Sequence, residues 1–555
     1  MSKNVKQIAL VVGVLILVNI IGAKLYKRFD LTQDHRYTLS EATKNIINDV
    51  DSPVLIDVFL EGEGFPSEFR KLQAETKQLL DELYAENSNI KYNFINPLEN
   101  EANRDKVIQQ LNDRGMTPMQ LTVQENGKSS QEIIFPWALA SYNNTTVKIP
   151  LVKNKLGASQ QDLVSNSVQH LEYAFADGLN KLVYPKRKKI AVLKGNGELE
   201  NKYIADFVTT LRDYYFIAPF TLDSVELAPR KTLKALNAYD LIIAAKPTEA
   251  FSEKEKFVLD QYTMNGGKSL WLIDAVAMEK DSLYNAEGRS IALARDLNLT
   301  DLFFKYGVRI NPVLVSTPYS APITLAMGEG SNAQFQNLRW PYSPLVNPEN
   351  HHPIVNNINL IKFDFANPID TLKNNLKKTI LLESAKLSKL EGTPKEISLD
   401  IVTKDPDPKQ FINGSQPLAV LVEGVFTSAY KNRLKPFKLD SEKETGSLAK
   451  IIVVSDGDLI KNDVIKNIPQ ELGFDRWTGQ LFGNKEFLLN TVNYLLDDNG
   501  LINIRTKEIK VPFLNHEKIA ESKLSWQLLN TLLPLGLLAI FGIAFNYIRK
   551  KKYSA

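Results

Sequence analysis

Two uninterrupted apolar runs, residues 7–23 and 524–548, stand near the ends of the chain, and neither contains Asp, Glu, Lys or Arg. At a helical rise of ~1.5 Å per residue, the second crosses a hydrocarbon core of ~30 Å easily, and the first does so with help from snorkelling flanks. Between the runs, short stretches rich in branched residues alternate with stretches whose apolar positions recur at helical spacing. Residues 54–60, bounded by Pro53 and Gly62, read as a buried strand. Phe69, Leu72, Leu79, Leu80 and Leu83 mark a helix face, and 90–95 resumes strand character before Pro97. This is the pattern of a βαβ unit. Asn126-Gly127 and Asn143-Asn144, each between alternating segments, predict hairpins. Leu163, Val168, Leu171, Phe175, Leu179 and Leu182 predict a long helix ending at Pro185.

A second α/β region begins at Lys189, with strands predicted at 190–193, 241–245 and 270–273 and a helix at 202–214. Ser252 and Glu255 form a capping box that opens a helix running to Met264, which Asn265-Gly266-Gly267 closes. Buried strands alternating with amphipathic helices predict a mostly parallel sheet covered on both faces. From 282 to 441 prolines are frequent, and β-like runs such as 379–382 and 418–422 sit between polar stretches, the pattern of an irregular β-rich insertion. Regular alternation returns with a strand at 451–454, ending in Ser455-Asp456-Gly457-Asp458, and a helix at 485–496. A lone strand–helix pair cannot bury its own faces, so these elements are expected to complete the sheet begun at Lys189. The expected organisation is an α/β protein with a transmembrane helix and stalk (1–29), a first α/β domain (30–184) and a second α/β domain in two parts (185–281 and 442–505). The β-rich insertion (282–441) separates those parts, and a stalk with a C-terminal transmembrane helix (506–555) closes the chain.

Flanking charge orients the runs. Lys3 and Lys6 precede the first, and Arg549, Lys550, Lys551 and Lys552 follow the second, so the positive-inside tendency puts both termini in the cytoplasm and the bulk outside it. Lys24, Lys27 and Arg28 oppose this, but they belong to a large translocated domain, where charge counts for less. A cleaved signal peptide is the rival reading of the first run, given its basic start and Gly22-Ala23. The run is longer than the ~7–15 residues of a signal h-region, and no clean small-x-small site stands out.

A net charge of +3 gives no support to a nucleic-acid partner, and the basic cluster 186–189 after Pro185 reads as a solvated linker. Cysteine is absent, which excludes disulfides, Cys-ligated zinc, iron–sulfur clusters and thiol nucleophiles. Gly267-Lys268-Ser269 is no phosphate-binding loop, because Tyr262 stands where the earlier glycine is needed and the context is helix–turn–strand. Gly195-Asn196-Gly197-Glu198 follows a strand and opens a helix. Its backbone would cradle an anion at the sheet edge, although Glu200 replaces the last glycine of G-x-G-x-x-G and a tight structural turn is the simpler reading. Asp274, Asp456 and Asp458, if they end parallel strands, gather at the same crevice; capping of the following elements is their plainer role. Asn196, Glu198, Asp274, Asp456 and Asp458 are the candidate ligand pocket. His351-His352 lacks metal-ligand spacing and reads as surface, and no G-x-S-x-G elbow occurs, so no metal site, cofactor or hydrolytic nucleophile is expected. Within the apolar runs Asn19, Asn530 and Asn546 are polar groups in a medium without partners, and Pro534 frees a carbonyl; hydrogen bonds to another membrane subunit would satisfy them.

Arg36-Tyr37-Thr38-Leu39-Ser40 ahead of Pro53-Val54, the helix from Phe65-Pro66 to Leu83, and Lys194-Gly195-Asn196-Gly197-Glu198 together resemble the gliding-motility ABC transporter auxiliary subunit family GldG. Asn265-Gly266-Gly267-Lys268, His352-Pro353-Ile354, the run from Leu418 to Ser428, and 490–496 after Ser455-Asp456-Gly457-Asp458 resemble it too, in the same order along nearly the whole chain. The resemblance implies a membrane-anchored partner of an ABC permease and a separate ATPase, found in gliding Bacteroidetes. It also implies a central domain of the glutamine-amidotransferase-like fold, shared with an intraflagellar-transport protein. Related turns in that family often read Gly-His-Gly-Glu, with Asn196 here in place of the histidine. Active amidotransferases of that fold use a cysteine, so this chain is expected to be a binding or scaffolding descendant without activity. The expected protein is a non-enzymatic inner-membrane subunit of a hetero-oligomer, with its bulk in the periplasm, binding a substrate, lipoprotein or other envelope component. The alternative is an envelope hydrolase or carbohydrate-binding protein that uses paired carboxylates among Glu198, Asp274, Asp456 and Asp458, which needs them ~5–10 Å apart in an open cleft.

Overall fold

Strands whose residues are apolar on both sides can be buried only inside a layered α/β sandwich, and this requirement organises the molecule. The computed structural model describes residues 3–553 except 25–29, 31, 33–35, 63–64, 100–102, 126–127, 329–333, 440, 510, 512 and 514–515. The chain divides into two compact units, Met1–Ile509 and Lys510–Ala555.

Helix α1 (Lys3–Lys24) carries the first apolar run, and its residues 10–19 are exposed. Beyond it lie α2 (Glu41–Asn48), β1 (Val54–Val58), α3 (Ser67–Glu86), β2 (Ile90–Phe94), α4 (Arg104–Asp113), β3 (Met119–Glu125), β4 (Lys128–Ile134), β5 (Trp137–Tyr142), β6 (Thr145–Pro150) and α5 (Gln160–Val183). β1 and β2 pair in parallel across α3, as a βαβ unit must, and β5 and β6 add antiparallel to give the order β2-β1-β5-β6. Asn143 and Asn144 both take positive φ, the backbone that a tight two-residue hairpin needs. β3 and β4 form a separate ribbon, whose Asn126-Gly127 turn lies outside the described residues, as does His35. α5 opens on a Ser159–Asp162 capping box and packs against both α3 and β6.

The second unit of secondary structure contains β7 (Lys189–Lys194), α6 (Ala205–Arg212), β8 (Phe216–Thr221), α7 (Pro229–Leu236), β9 (Leu241–Ala245), α8 (Glu253–Met264), β10 (Lys268–Leu272), α9 (Thr300–Tyr306) and α10 (Asn484–Leu496). Its seven-stranded sheet has the order Lys377–Glu383, Pro417–Thr427, Thr445–Val454, β10, β9, β7, β8; the last five are mutually parallel, and Pro417–Thr427 pairs antiparallel with both of its neighbours. Alternate strand residues feed two cores. Ile190, Val192, Ile243, Leu270 and Ile452 pack with α6 and α10, while Ala191, Leu193, Ile242, Trp271 and Val453 pack with α7, α8 and α9.

Three features depart from the sequence expectation. The helix expected at 202–214 is a 3₁₀ turn, Asn201–Tyr203, followed by the shorter α6. β8 and α7 had no expectation. β8 carries Pro219, which reads against a strand, but β8 is the sheet's edge, where a missing N–H costs no ladder bond. Finally, the 282–441 segment is not wholly an insertion: Lys377–Glu383 and Pro417–Thr427 belong to the central sheet, α9 packs on one of its cores, and part of the remainder folds as short antiparallel pairs around a core holding Trp340 and Tyr342.

The unit Lys510–Ala555 contains α11 (His516–Tyr553), kinked at Ser522 and carrying Pro534 within it. Its stretch Glu521–Tyr553 is long and apolar enough to cross a membrane and is fully exposed. The first run contributes only a shorter apolar stretch, Leu10–Asn19.

Because Val420 lies in the α8-side core, Val420→Asp is expected to destabilise the whole Met1–Ile509 unit by more than about 3 kcal/mol, lowering its thermal unfolding as one transition. A transition confined to part of the 282–441 segment would contradict this assignment.

Candidate functional site

Parallel strands leave their side chains no polar face, so the polar groups of the sheet collect where the strands end. At the carboxyl edge, β9 is followed by Lys246, β10 by Asp274, and Thr445–Val454 by Asp456 and Asp458. Lys246 takes a positive φ of 58°, uncommon for a residue with a Cβ, and is almost wholly buried. Its ammonium donates to Asp458 at 2.6 Å and Glu279 at 2.8 Å and lies 3.5 Å from Asp274. The backbone completes the cluster: Gly457 N–H donates to Asp274 at 2.5 Å, and the N–H groups of Asp458 and Asp364 donate to the two oxygens of Asp456 at 2.7 and 2.6 Å. A Cβ at position 457 would come within 2.5 Å of the Lys246 side chain, which explains the glycine between the two aspartates.

A cleft of about 470 Å³ opens beside this cluster. Asp456 and Asp458 line it, with Lys280, Lys362, Asp364 and Asp475. Several of its charges are paired within the wall: Lys280 with Asp364 at 2.7 Å, Lys362 with Asp475 at 2.9 Å, and Lys461 with Asp458 at 3.6 Å. Burial pushes the Lys246 ammonium toward deprotonation, but Asp458, Asp274 and Glu279 outweigh it and hold the charge on. Burial and mutual repulsion raise the carboxyls of Asp274 and Asp456. Burial would raise the partly buried Asp364 carboxyl as well, yet Lys280 and Lys362 hold it below the ordinary range.

Oxygens of Asp274, Glu279 and Asp458 lie within 4.8 Å of one another, the spacing of a cation site. The cation in place is Lys246, bonded to Asp458 and Glu279 and close to Asp274, so a metal ion fits only by displacing it. The same contacts bear on acid–base chemistry. Asp274 and Asp458 approach more closely than the ~5–5.5 Å of a retaining glycosidase pair, and a lysine engages both.

Of the five expected pocket residues, the structure brings Asp274, Asp456 and Asp458 together and leaves Asn196 and Glu198 apart. These two neither line the cleft nor bond the aspartates. Gly195 and Gly197 take the positive φ of a tight turn, whose Asn196 carbonyl accepts from the N–H groups of Thr248 and Glu249 at 2.9 and 3.0 Å. The anion at this turn is Glu198 itself, which accepts the Asn196 N–H at 2.8 Å, so an outside anion finds the cradle filled. Sequence reasoning missed Lys246, although its place directly after a buried strand was the same signal that marked the aspartates. Lys362, Asp364 and Asp475 carried no local signal, because they reach the cleft from segments distant along the chain.

His351 is exposed, but His352 is half-buried against Tyr494, with ring centroids 4.8 Å apart. It accepts the Ile354 N–H at 3.3 Å, so burial pushes its imidazole down to about 4. Asn19 donates to its own helix at Leu15 O, 3.1 Å away, whereas Asn530, Pro534 and Asn546 lie along the exposed surface of α11.

Fold and cleft together define a mixed α/β protein with one membrane-length helix among the described residues and a polar, charge-lined cleft. Residues 187–491, more than half of the chain, match the family model described as an ABC-type uncharacterized transport system, and the chain belongs to this family of ABC transporter auxiliary proteins. Residues 33–141 match a domain of unknown function, DUF7088. An uncharacterized protein of Borreliella burgdorferi is 20% identical over 536 residues, covering 95% of this chain and 94% of that protein. Among solved structures, the mmIFT52 N-terminal domain shows 14% identity and a TM-score of 0.31, covering 56% of this chain and 98% of that one. A cytoplasmic protein from Salmonella typhimurium shows 13% identity and a TM-score of 0.27, covering 56% and 99%.

Lys246→Ala leaves buried carboxylates without their cation, and a loss of about 3–5 kcal/mol is expected in chemical denaturation. Millimolar calcium is expected to restore part of that stability in the variant and to leave the parent unchanged. Asp274 and Asp456 bind a proton in the fold at pH values where the unfolded chain has released it, so their contribution is fully present below about pH 4; that of Asp274 is lost as the pH rises through about 6, and that of Asp456 as the pH rises through its own raised value. Carboxyl-carbon NMR titration should find this pair ionising above the ordinary aspartate range, with Asp364 ionising below it.

Proposed function

We propose that this chain is a non-catalytic auxiliary subunit of a bacterial inner-membrane ABC transporter, anchored by α1 and α11 with both termini cytoplasmic and the unit between them in the periplasm. The observation that carries the proposal is the fully exposed apolar stretch Glu521–Tyr553 on a chain of the auxiliary family, with Lys550, Lys551 and Lys552 in its last turn. A permease receives the exposed α1 and α11, and a separate ATPase supplies energy. The cleft at the strand ends holds a periplasmic substrate, lipoprotein or other envelope component against fixed, internally paired charges. A glutamine-amidotransferase-like ancestry of the sheet and a role in gliding motility of Bacteroidetes are the finer readings within this proposal, in keeping with the likeness of its motifs to the GldG family. The contacts of Lys246 with Asp274 and Asp458 favour binding over the carboxylate-hydrolase alternative.

Purification of the full chain from membranes in mild detergent should bring a permease and an ATPase with it, and Asn530→Leu with Asn546→Leu should reduce their recovery several-fold. Recovery of the chain free of any permease would overturn the proposal.

A further inference from the structure

The segment just ahead of residue 510 is fastened to the rest of its unit in an unusual way. The Lys507 ammonium donates to the Thr38 carbonyl at 2.9 Å and to Glu172 of α5 at 2.8 Å. The other oxygen of Glu172 accepts the Ser40 N–H at 2.7 Å and the Thr43 hydroxyl at 2.9 Å. A single buried carboxylate thus joins the chain that follows the first apolar run to the chain that precedes the second. Burial pushes the Glu172 carboxyl up, but Lys507 and the N–H of Ser40 outweigh it and keep it ionised.

Two residues earlier, Arg505 is buried and donates to Glu486 in the first turn of α10 at 2.7 Å, and to the carbonyls of Asn356 at 3.0 Å and Pro353 at 3.3 Å. Lys153 bonds the same Glu486 from the first α/β region. Also in that first turn, Asn484 brackets Lys362, accepting its N–H at 3.0 Å and donating to its carbonyl at 2.8 Å, and Lys362 holds Asp475 at 2.9 Å. Asn484, Lys362 and Asp475 line the cleft. Two ion-paired groups, Glu172 with Lys507 and Glu486 with Arg505 and Lys153, and the neutral bonds of Asn484 to the Lys362 backbone, linked by one or two residues of chain, therefore lead from residues 38–43 and 505–507 through α10 to the cleft wall. Each of the buried charges is costly to leave unpaired, so these groups move together more readily than they part.

We propose that Glu172, Lys507, Arg505 and Glu486 form a clasp that couples the position of the two membrane-proximal segments to the shape of the cleft. The clasp deepens the transporter reading and rests on it for its purpose: a permease that shifts either membrane helix alters the cleft wall through α10, and occupation of the cleft is felt at the helices by the same coupling.

The test is hydrogen exchange on the full-length chain purified in detergent, comparing the parent with Lys507→Met, Lys507→Arg and Glu172→Gln. Lys507→Met and Glu172→Gln are expected to speed amide exchange about tenfold at 361–364 and 484–488, while Lys507→Arg, which keeps the charge, leaves those amides near the parent rate. The strands β1 and β5 should not change. Acceleration confined to 38–43 and 505–509 would overturn the proposal, and so would uniform acceleration including β1 and β5, which marks the clasp as general stabilisation. Should one variant fail to fold, the other reads the same segments. The experiment needs no permease, so its failure leaves the co-purification result intact, and loss of co-purification leaves the clasp standing.

Discussion

The structure depends on keeping both faces of the seven-stranded sheet dry. Its parallel strands put apolar side chains on each side, and two separate cores, one with α6 and α10 and the other with α7, α8 and α9, must close over them. Charged groups have little place along the buried central strands, so most of those near the cleft stand beyond the strand ends. The cleft therefore lies at the carboxyl edge of the sheet, where Asp456 and Asp458 stand two and four positions beyond the end of Thr445–Val454.

Grouping charges in that small volume creates the second requirement, which is pairing. Lys246 answers Asp274, Glu279 and Asp458; Lys280 answers Asp364; Lys362 answers Asp475. Charges held this way are poor acids, bases and metal ligands, but they make a rigid wall of donors and acceptors suited to recognition. The same economy recurs at the junction with the first α/β region, where Glu172 and Glu486 are each matched by basic groups from distant segments. Both charged clusters supply rigid connection between segments that are distant along the chain.

Much of the fold was legible locally. The βαβ unit, both hairpin positions, the capping box at Ser252 and the strands β7, β9 and β10 were written in apolar period and turn residues, which act over a few neighbours. The β8 edge strand was hidden by Pro219, whose exclusion from sheets does not hold at an edge. The strands Lys377–Glu383 and Pro417–Thr427 looked like parts of an insertion, because nothing near them in sequence states which sheet they join. The meeting of Asp274, Asp456 and Asp458 was legible in their position after buried strands, whereas the bonding of Glu198 within its own turn was not, since strand-end position fixes an edge of the sheet and leaves open which loops meet there.

By itself the sequence determined the apolar ends, the α/β alternation, the absence of thiol chemistry and the three aspartates at strand ends, all of which follow from local period and composition. Only the tertiary structure decided that a lysine fills the carboxylate cluster, that Glu198 occupies its own turn, that Lys507 binds residues more than three hundred positions away and that Arg505 binds carbonyls about 150 positions away. Electrostatic pairing acts through space, and the partners of a buried charge are known only once the chain has brought them together.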